Sequence, residues 1–194
     1  MSDWWDELET KPDPIPPMRG EELFLKGLRF IREIFETVVP AIMIALLINL
    51  FMAQATRVYG QSMEPSLHTD QRLIVEKLSY HLHPPRRGDV VVLKLRHDNS
   101  ELLIKRVIGL PGEGIEIKEG RVFINGKPLE EPYLNQFTAG QMAPRVVSPL
   151  HVFVLGDNRG FSNDSRSFGM VDFSDIVGRA WFSYWPLERF GSVY

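Results

Sequence analysis

The chain has 194 residues, no cysteine, 22 Lys and Arg against 25 Asp and Glu, and a formal net charge of -3. The missing cysteines exclude disulfides, zinc-thiolate centres and a cysteine nucleophile together. The slight acidity leaves no bulk basic field to hold nucleic acid.

Residues 1–20 are acidic and proline-rich, from Trp4-Trp5 through Pro12, Pro14, Pro16 and Pro17. Prolines remove donors and little here can pack, so a mobile tail is predicted. Over residues 21–36 Leu25, Leu28, Ile31, Ile34 and Phe35 recur at helical spacing, with Lys26, Arg29, Arg32 and Glu33 covering the other face. An apolar run then spans residues 38–55, with Asn49 its only strongly polar residue before Gln54. At roughly 1.5 Å per residue such a run rises about 27 Å, enough to cross a bilayer core.

Ala53-Gln54-Ala55 has the form of a signal-peptide processing site. The apolar run is longer than a usual signal-peptide core, however, and the segment before it is very long. An uncleaved anchor is therefore expected, open to slow cleavage after Ala55 between molecules in detergent. Arg19, Lys26, Arg29 and Arg32 precede the run, whereas Arg57 and Arg72 follow it. That bias places the N-terminus in the cytoplasm and residues 57 onward outside. The organisation expected is a cytoplasmic tail and juxtamembrane helix (1–37), a single-pass transmembrane anchor (38–56) and an extracytoplasmic catalytic domain (57–194).

Beyond the run the hydrophobic period changes to two. Residues 72–76, 89–95, 102–108, 115–118, 121–124, 151–155 and 179–184 read as strands. Glu119-Gly120 and Asn125-Gly126 mark successive hairpin turns. No long helical period follows residue 60. A mainly β domain results, for which a folded-over sheet or barrel suits the short strands.

Three segments carry chemistry. In Gly60-Gln61-Ser62-Met63-Glu64-Pro65-Ser66-Leu67, Gly60 and Pro65 bracket Ser62 in a turn that can expose a hydroxyl and outward N–H groups. A serine so close after a membrane span acts on something at the bilayer surface. The five histidines, His68, His81, His83, His97 and His151, form no triad context, and no G-x-S-x-G elbow is present. His81 and His83 lack a third ligand for a metal and read as polar loop residues. Lys105 is a better base. It shares a strand face with Leu103 and Val107, and a lysine desolvated by apolar neighbours loses its proton more easily. An isolated strand lysine would normally snorkel to water; its company with the other segments argues otherwise. The third segment, Gly156-Asp157-Asn158-Arg159 through Gly169, is a polar loop directly after a strand, in which Asp164 and Arg166 can pair.

These segments resemble the successive boxes of bacterial type I signal peptidase, the S26 leader peptidases. The likeness rests on residues 60–67, Arg87-Gly88-Asp89-Val90-Val91-Val92, residues 104–113 and residues 156–169, in the family's order. It covers the chain from the apolar run to about residue 185. The resemblance implies Ser62 as nucleophile and Lys105 as general base, without cofactor or metal. It also implies Ser162 orienting the lysine amine, with Asp157, Asp164 and Arg166 shaping the site. The implied fold is an antiparallel β domain with an SH3-like, barrel-like core and a small extra hairpin sheet. The implied partners are preprotein signal peptides and the lipid bilayer; nothing in the sequence specifies an oligomeric state.

Two positions depart from the pattern. Many Gram-negative members have a serine where Gly60 stands, leaving the Ser62 N–H to hold more of the oxyanion here. Threonine is usual where Ser66 stands. A shallow apolar cleft near Val58, Met63, Leu67 and Ile104 would accept small side chains, by resemblance alanine at the first and third positions before the cut. Trp181, Phe182, Tyr184 and Trp185 form an aromatic run suited equally to the headgroup zone or to sheet packing. Two other readings use the same residues: a Ser/Lys maturation protease of narrow range, and a membrane-anchored binding protein without catalysis. A binder needs neither Ser62 nor Lys105.

Overall fold

The structure, a computed structural model, describes residues 19–47, 53–95 and 102–193. The proline-rich tail through residue 18, residues 48–52 of the apolar run with Asn49, and His97 lie outside the described residues. The chain divides into two compact units, residues 1–46 and 47–194.

In the first unit, helix α1 spans Arg19–Leu47 with Pro40 inside it. Among the described residues no helix is long and apolar enough to cross a membrane. The reason is in its composition: the first half of α1 carries Lys26, Arg29, Arg32, Glu33 and Glu36, and its described apolar part ends at Leu47.

The second unit begins earlier than the sequence reading has it. Residues Ala53–Arg57, assigned above mostly to the anchor, form strand β1. They pair antiparallel with β2 (Arg72–Glu76) from Ala53↔Glu76 to Arg57↔Arg72. The pairing gives these backbone carbonyls partners that a helix ending here would leave open. It also ties the Ala53-Gln54-Ala55 triplet into a ladder, so cleavage after Ala55 requires β1 to detach first.

Helix α2 (Ser79–Leu82) leads to β3 (Val90–Leu93) and β4 (Leu103–Gly109). Next come β5 (Gly114–Lys118), β6 (Arg121–Ile124), β7 (Lys127–Pro128), β8 (Met142–Val146) and β9 (His151–Leu155). Helix α3 (Ser165–Phe168), β10 (Val171–Asp172), β11 (Ile176–Trp185) and β12 (Gly191–Ser192) complete the chain.

Two antiparallel sheets result. The large one runs β1-β2-β11-β3-β4-β9-β10 with β12 on β11, and the small one runs β7-β6-β5-β8. Register shifts along β11 and in β4 bend the large sheet into a curled half-barrel. The small sheet is built on the two turns read from sequence. Glu119 and Gly120 have φ of 51° and 73°, and Asn125 and Gly126 have φ of 50° and 78°. Paired positive φ values are those of two-residue turns that match strand twist.

Central strands of the large sheet are buried on both faces, which explains their unbroken apolar runs. Val90 and Val92 join Val58, Met63, Leu67 and Ile104 in one cluster, while Val91 and Leu93 join Val107, Val152 and Val154 in another. Phe153 and Leu155 of β9 turn toward Ile115, Ile117 and Val122 of the small sheet. The sheet order matters for chemistry because β4 lies between β3 and β9. Residues on β4 therefore sit beside the loop that leaves β9.

Candidate active site

Ser62 lies in the connection from β1 to β2. Its base is pinned by the Val58 N–H donating to the Gln71 carbonyl at 2.8 Å and the Asp70 N–H to the Val58 carbonyl at 2.9 Å. Buried Met63 and Leu67, 1% and 2% exposed, anchor the turn into the first apolar cluster. Gly60 has φ of 79°, and its carbonyl accepts the Thr69 hydroxyl at 2.9 Å. No described residue accepts the Ser62 N–H, which leaves that donor free for a developing oxyanion.

Lys105 arrives from β4, paired across from Val91. Its amine stands 2.8 Å from Ser62 Oγ, although the two residues are far apart in sequence. Lys105 is 2% exposed. Burial pushes its pKa down to about 8, against the opposing pull of Asp164 and Asp157. Desolvation is the larger effect, and each of the two carboxylates is itself held by an arginine.

Arg106, the next residue on β4, holds Asp157. Its Nε donates to Asp157 Oδ1 at 2.8 Å and its Nη2 to Oδ2 at 2.6 Å, in a pair almost wholly buried. Arg106 also donates to the Gly88 carbonyl at 3.0 Å and stacks 4.0 Å from the Tyr133 ring centroid. Asp164, fully buried, accepts from Arg166 Nε at 2.8 Å, from Arg166 Nη2 at 2.9 Å and from the Gly156 N–H at 3.1 Å. Burial alone would raise its pKa, but the Arg166 bonds and the Gly156 N–H hold it below the usual carboxylate range.

The loop after β9 grips the Ser62 turn directly. The Asn158 N–H donates to the Ser62 carbonyl at 3.0 Å. A Cβ on Gly156 would fall inside contact distance of both the Ser62 carbonyl oxygen and Ser162 Oγ, so only glycine fits this approach. Ser162 Oγ is buried beside the dyad and close enough to Asp164 to favour its charged form, yet it has no hydrogen-bond partner. The bond from Ser162 to the lysine amine, implied by the resemblance, is not made in this geometry.

Val58, Met63 and Ile104 line a cavity of about 450 Å³ with Thr56, Arg57, Tyr59, Leu102, Leu103, Ser62 and Lys105. Leu67 does not; it lies in the core beneath the turn. The four described histidines are engaged elsewhere. His81 bonds the Lys77 carbonyl from α2, His83 the Pro84 carbonyl and His151 the Pro149 carbonyl, while His68 faces Glu64 at 3.6 Å. His81 thus sits in a short helix rather than in a loop.

Sequence reasoning missed two features. One is the Arg106–Asp157 pair; a buried arginine on an apolar strand requires a carboxylate, so its signal was present. The other is Arg159, 1% exposed, which pairs with Glu131 and bonds Thr138 and the Gly156 carbonyl. Glu131 carries no local mark of that pairing.

Among known proteins, residues 31–185 match the family described as signal peptidase, peptidase S26. A signal peptidase I from Leptolyngbya laminosa is 44% identical over 194 residues, covering 96% of each chain. A signal peptidase I from Bacillus caldolyticus is 41% identical over 165 residues, covering 77% of this chain and 89% of its own.

Removing one member of a buried ion pair leaves the other charge uncompensated, at a cost of about 3–5 kcal/mol, whereas an apolar replacement of both costs far less. Asp157→Ala is therefore expected to lower unfolding stability by about that amount, and Arg106→Met with Asp157→Leu by less. Denaturant midpoints in detergent check this. A shift below about 1 kcal/mol for Asp157→Ala would place the pair at a solvated surface.

Proposed function

The chain belongs to the signal peptidase family, peptidase S26, and is a serine endopeptidase that cleaves signal peptides from preproteins; we propose that Ser62 is its nucleophile and Lys105 its general base. The observation that carries this reading is the 2.8 Å approach of a nearly inaccessible amine to the serine hydroxyl.

With a pKa of about 8 in place of 10.5, the neutral amine at pH 7 is about 300-fold more abundant than for an unperturbed lysine. Neutral Lys105 takes the Ser62 proton as Oγ attacks the scissile carbonyl. The Ser62 N–H meets the oxyanion, and the lysine ammonium then protonates the leaving amine. Water, deprotonated by the same amine, frees the acyl group. Ser162, buried and unpartnered beside the dyad, is assigned to steady the amine during transfer. Asp157, Asp164 and Arg166 hold the loop that clamps Ser62. Val58, Met63 and Ile104 give the cavity an apolar wall for small side chains preceding the cut.

The curled large sheet is read as the SH3-like core of the family. The apolar run from residue 38 to the start of β1 is proposed as a single-pass anchor with the N-terminus cytoplasmic and the sheets outside. Its support is the run in the sequence, the basic bias before it, and α1 carrying part of it. Trp181 and Trp185, each 50% exposed, with Leu187 and Phe190 at 68% and 63%, supply apolar surface for the headgroup zone. Alkaline carbonate washing of membranes is expected to leave the chain with the lipid; release into the supernatant would contradict the anchor.

The dyad acts as one unit, so Ser62→Ala, Lys105→Ala and the double variant are expected to lose activity to the same residual level on a preprotein peptide. Lys105→Arg is expected to fail too, since guanidinium stays protonated. For wild type, kcat/KM should rise with pH through a limb near 8, because the protonated amine is inactive. Full activity at pH 5, or in Lys105→Ala, would remove the lysine from its role.

A further inference from the structure

The loop after β9 is anchored by buried polar residues: Asp157, Arg159, Asp164 and Ser165 are each 1% exposed or less. Phe161, in the middle of it, is 78% exposed. Its backbone is not loose. The Phe161 N–H donates to the Asn158 carbonyl at 3.1 Å, and the Asn158 N–H donates to the Ser62 carbonyl at 3.0 Å. Within the same turn Arg159 is locked to Glu131, and Gln136 donates to Asn158 Oδ1 at 3.2 Å. A rigid turn, two hydrogen bonds from the nucleophile, thus holds a large apolar ring out in water, where burial by a ligand would be favourable.

The acyl half of a substrate already has a place. The cavity beside Ser62 is lined by residues 56–59, 62–63 and 102–105 and takes nothing from this loop. A peptide that fills it and crosses Ser62 must continue past the cut over some other surface. The turn that clamps Ser62 is adjacent to it, and the charges of Asp157, Asp164 and Arg166 in the loop are spent on internal pairs.

We propose that Phe161 receives the leaving half of the substrate, packing against an apolar side chain at the first or second position after the cut. This rests on the Ser62/Lys105 reading above. Phe161 then sets a preference at the start of the released protein, whereas the cavity sets the preference before the cut.

The test uses the full chain in detergent micelles and two fluorogenic peptides with the same alanine-containing acyl half. One ends in an amide one residue past the cut, and the other continues for several residues with leucine at the first two. Phe161→Ala is expected to lower kcat/KM for the long peptide, relative to the short one, about tenfold, mostly through KM. Phe161→Trp should hold that ratio within about threefold of wild type, as a flat apolar face is kept. An unchanged ratio in Phe161→Ala, including an equal loss on both peptides, overturns the assignment while Ser62-dependent cleavage by wild type leaves the dyad standing. Wild-type cleavage that persists in Ser62→Ala overturns the dyad itself.

Discussion

The removal of one amine from water organises this protein's chemistry. Lys105 sits on a central strand of a sheet buried on both faces, and the low-dielectric surroundings penalise its charge. Two carboxylates lie within electrostatic reach and pull the other way. Left free, they would favour the ammonium. The fold commits each to its own arginine, Asp157 to Arg106 and Asp164 to Arg166, so that their charge is largely answered before it reaches the lysine. Burial lowers the lysine's pKa, and the arginines answer the two carboxylates that oppose it.

The same pairs give the site its shape. Asp164 also accepts the Gly156 N–H, and Gly156 allows the loop to approach the Ser62 carbonyl more closely than any side chain would permit. Arg159 bonds the Gly156 carbonyl and ties the loop to Glu131 and Thr138 beside the small sheet. The Ser62 turn is therefore clamped between the large sheet beneath it and a loop braced from the small one. Such bracing fixes the serine hydroxyl and the amine in one geometry.

Much of this was legible from residues alone, and the reason is local. Period-two runs such as 72–76 and 151–155 declare strands, and Glu119-Gly120 and Asn125-Gly126 declare turns through backbone conformations few other residues adopt. Ser62 in its turn and Lys105 in its strand carry local marks of function. What escaped depends on distant partners. Ala53–Arg57 follow an apolar run and read as its end, but β2 offers them a ladder that no helical period reveals. Leu67 looks like cleft lining beside Ser62, yet the turn rotates it into the core. Arg159 and Glu131 meet only because β5 to β8 fold back as a separate sheet.

The central claim is that Lys105 gives up its proton well below the pH an ordinary lysine needs, because it is dry. Carbon-13 NMR titration of side-chain-labelled lysine in the Ser62→Ala protein tests it directly, with Lys105→Arg identifying the resonance. The account requires a Lys105 midpoint near 8 while the solvated lysines titrate near their ordinary value of about 10.4. A Lys105 midpoint indistinguishable from the other lysines would show that the amine stays charged, and the account of the site would fail with it.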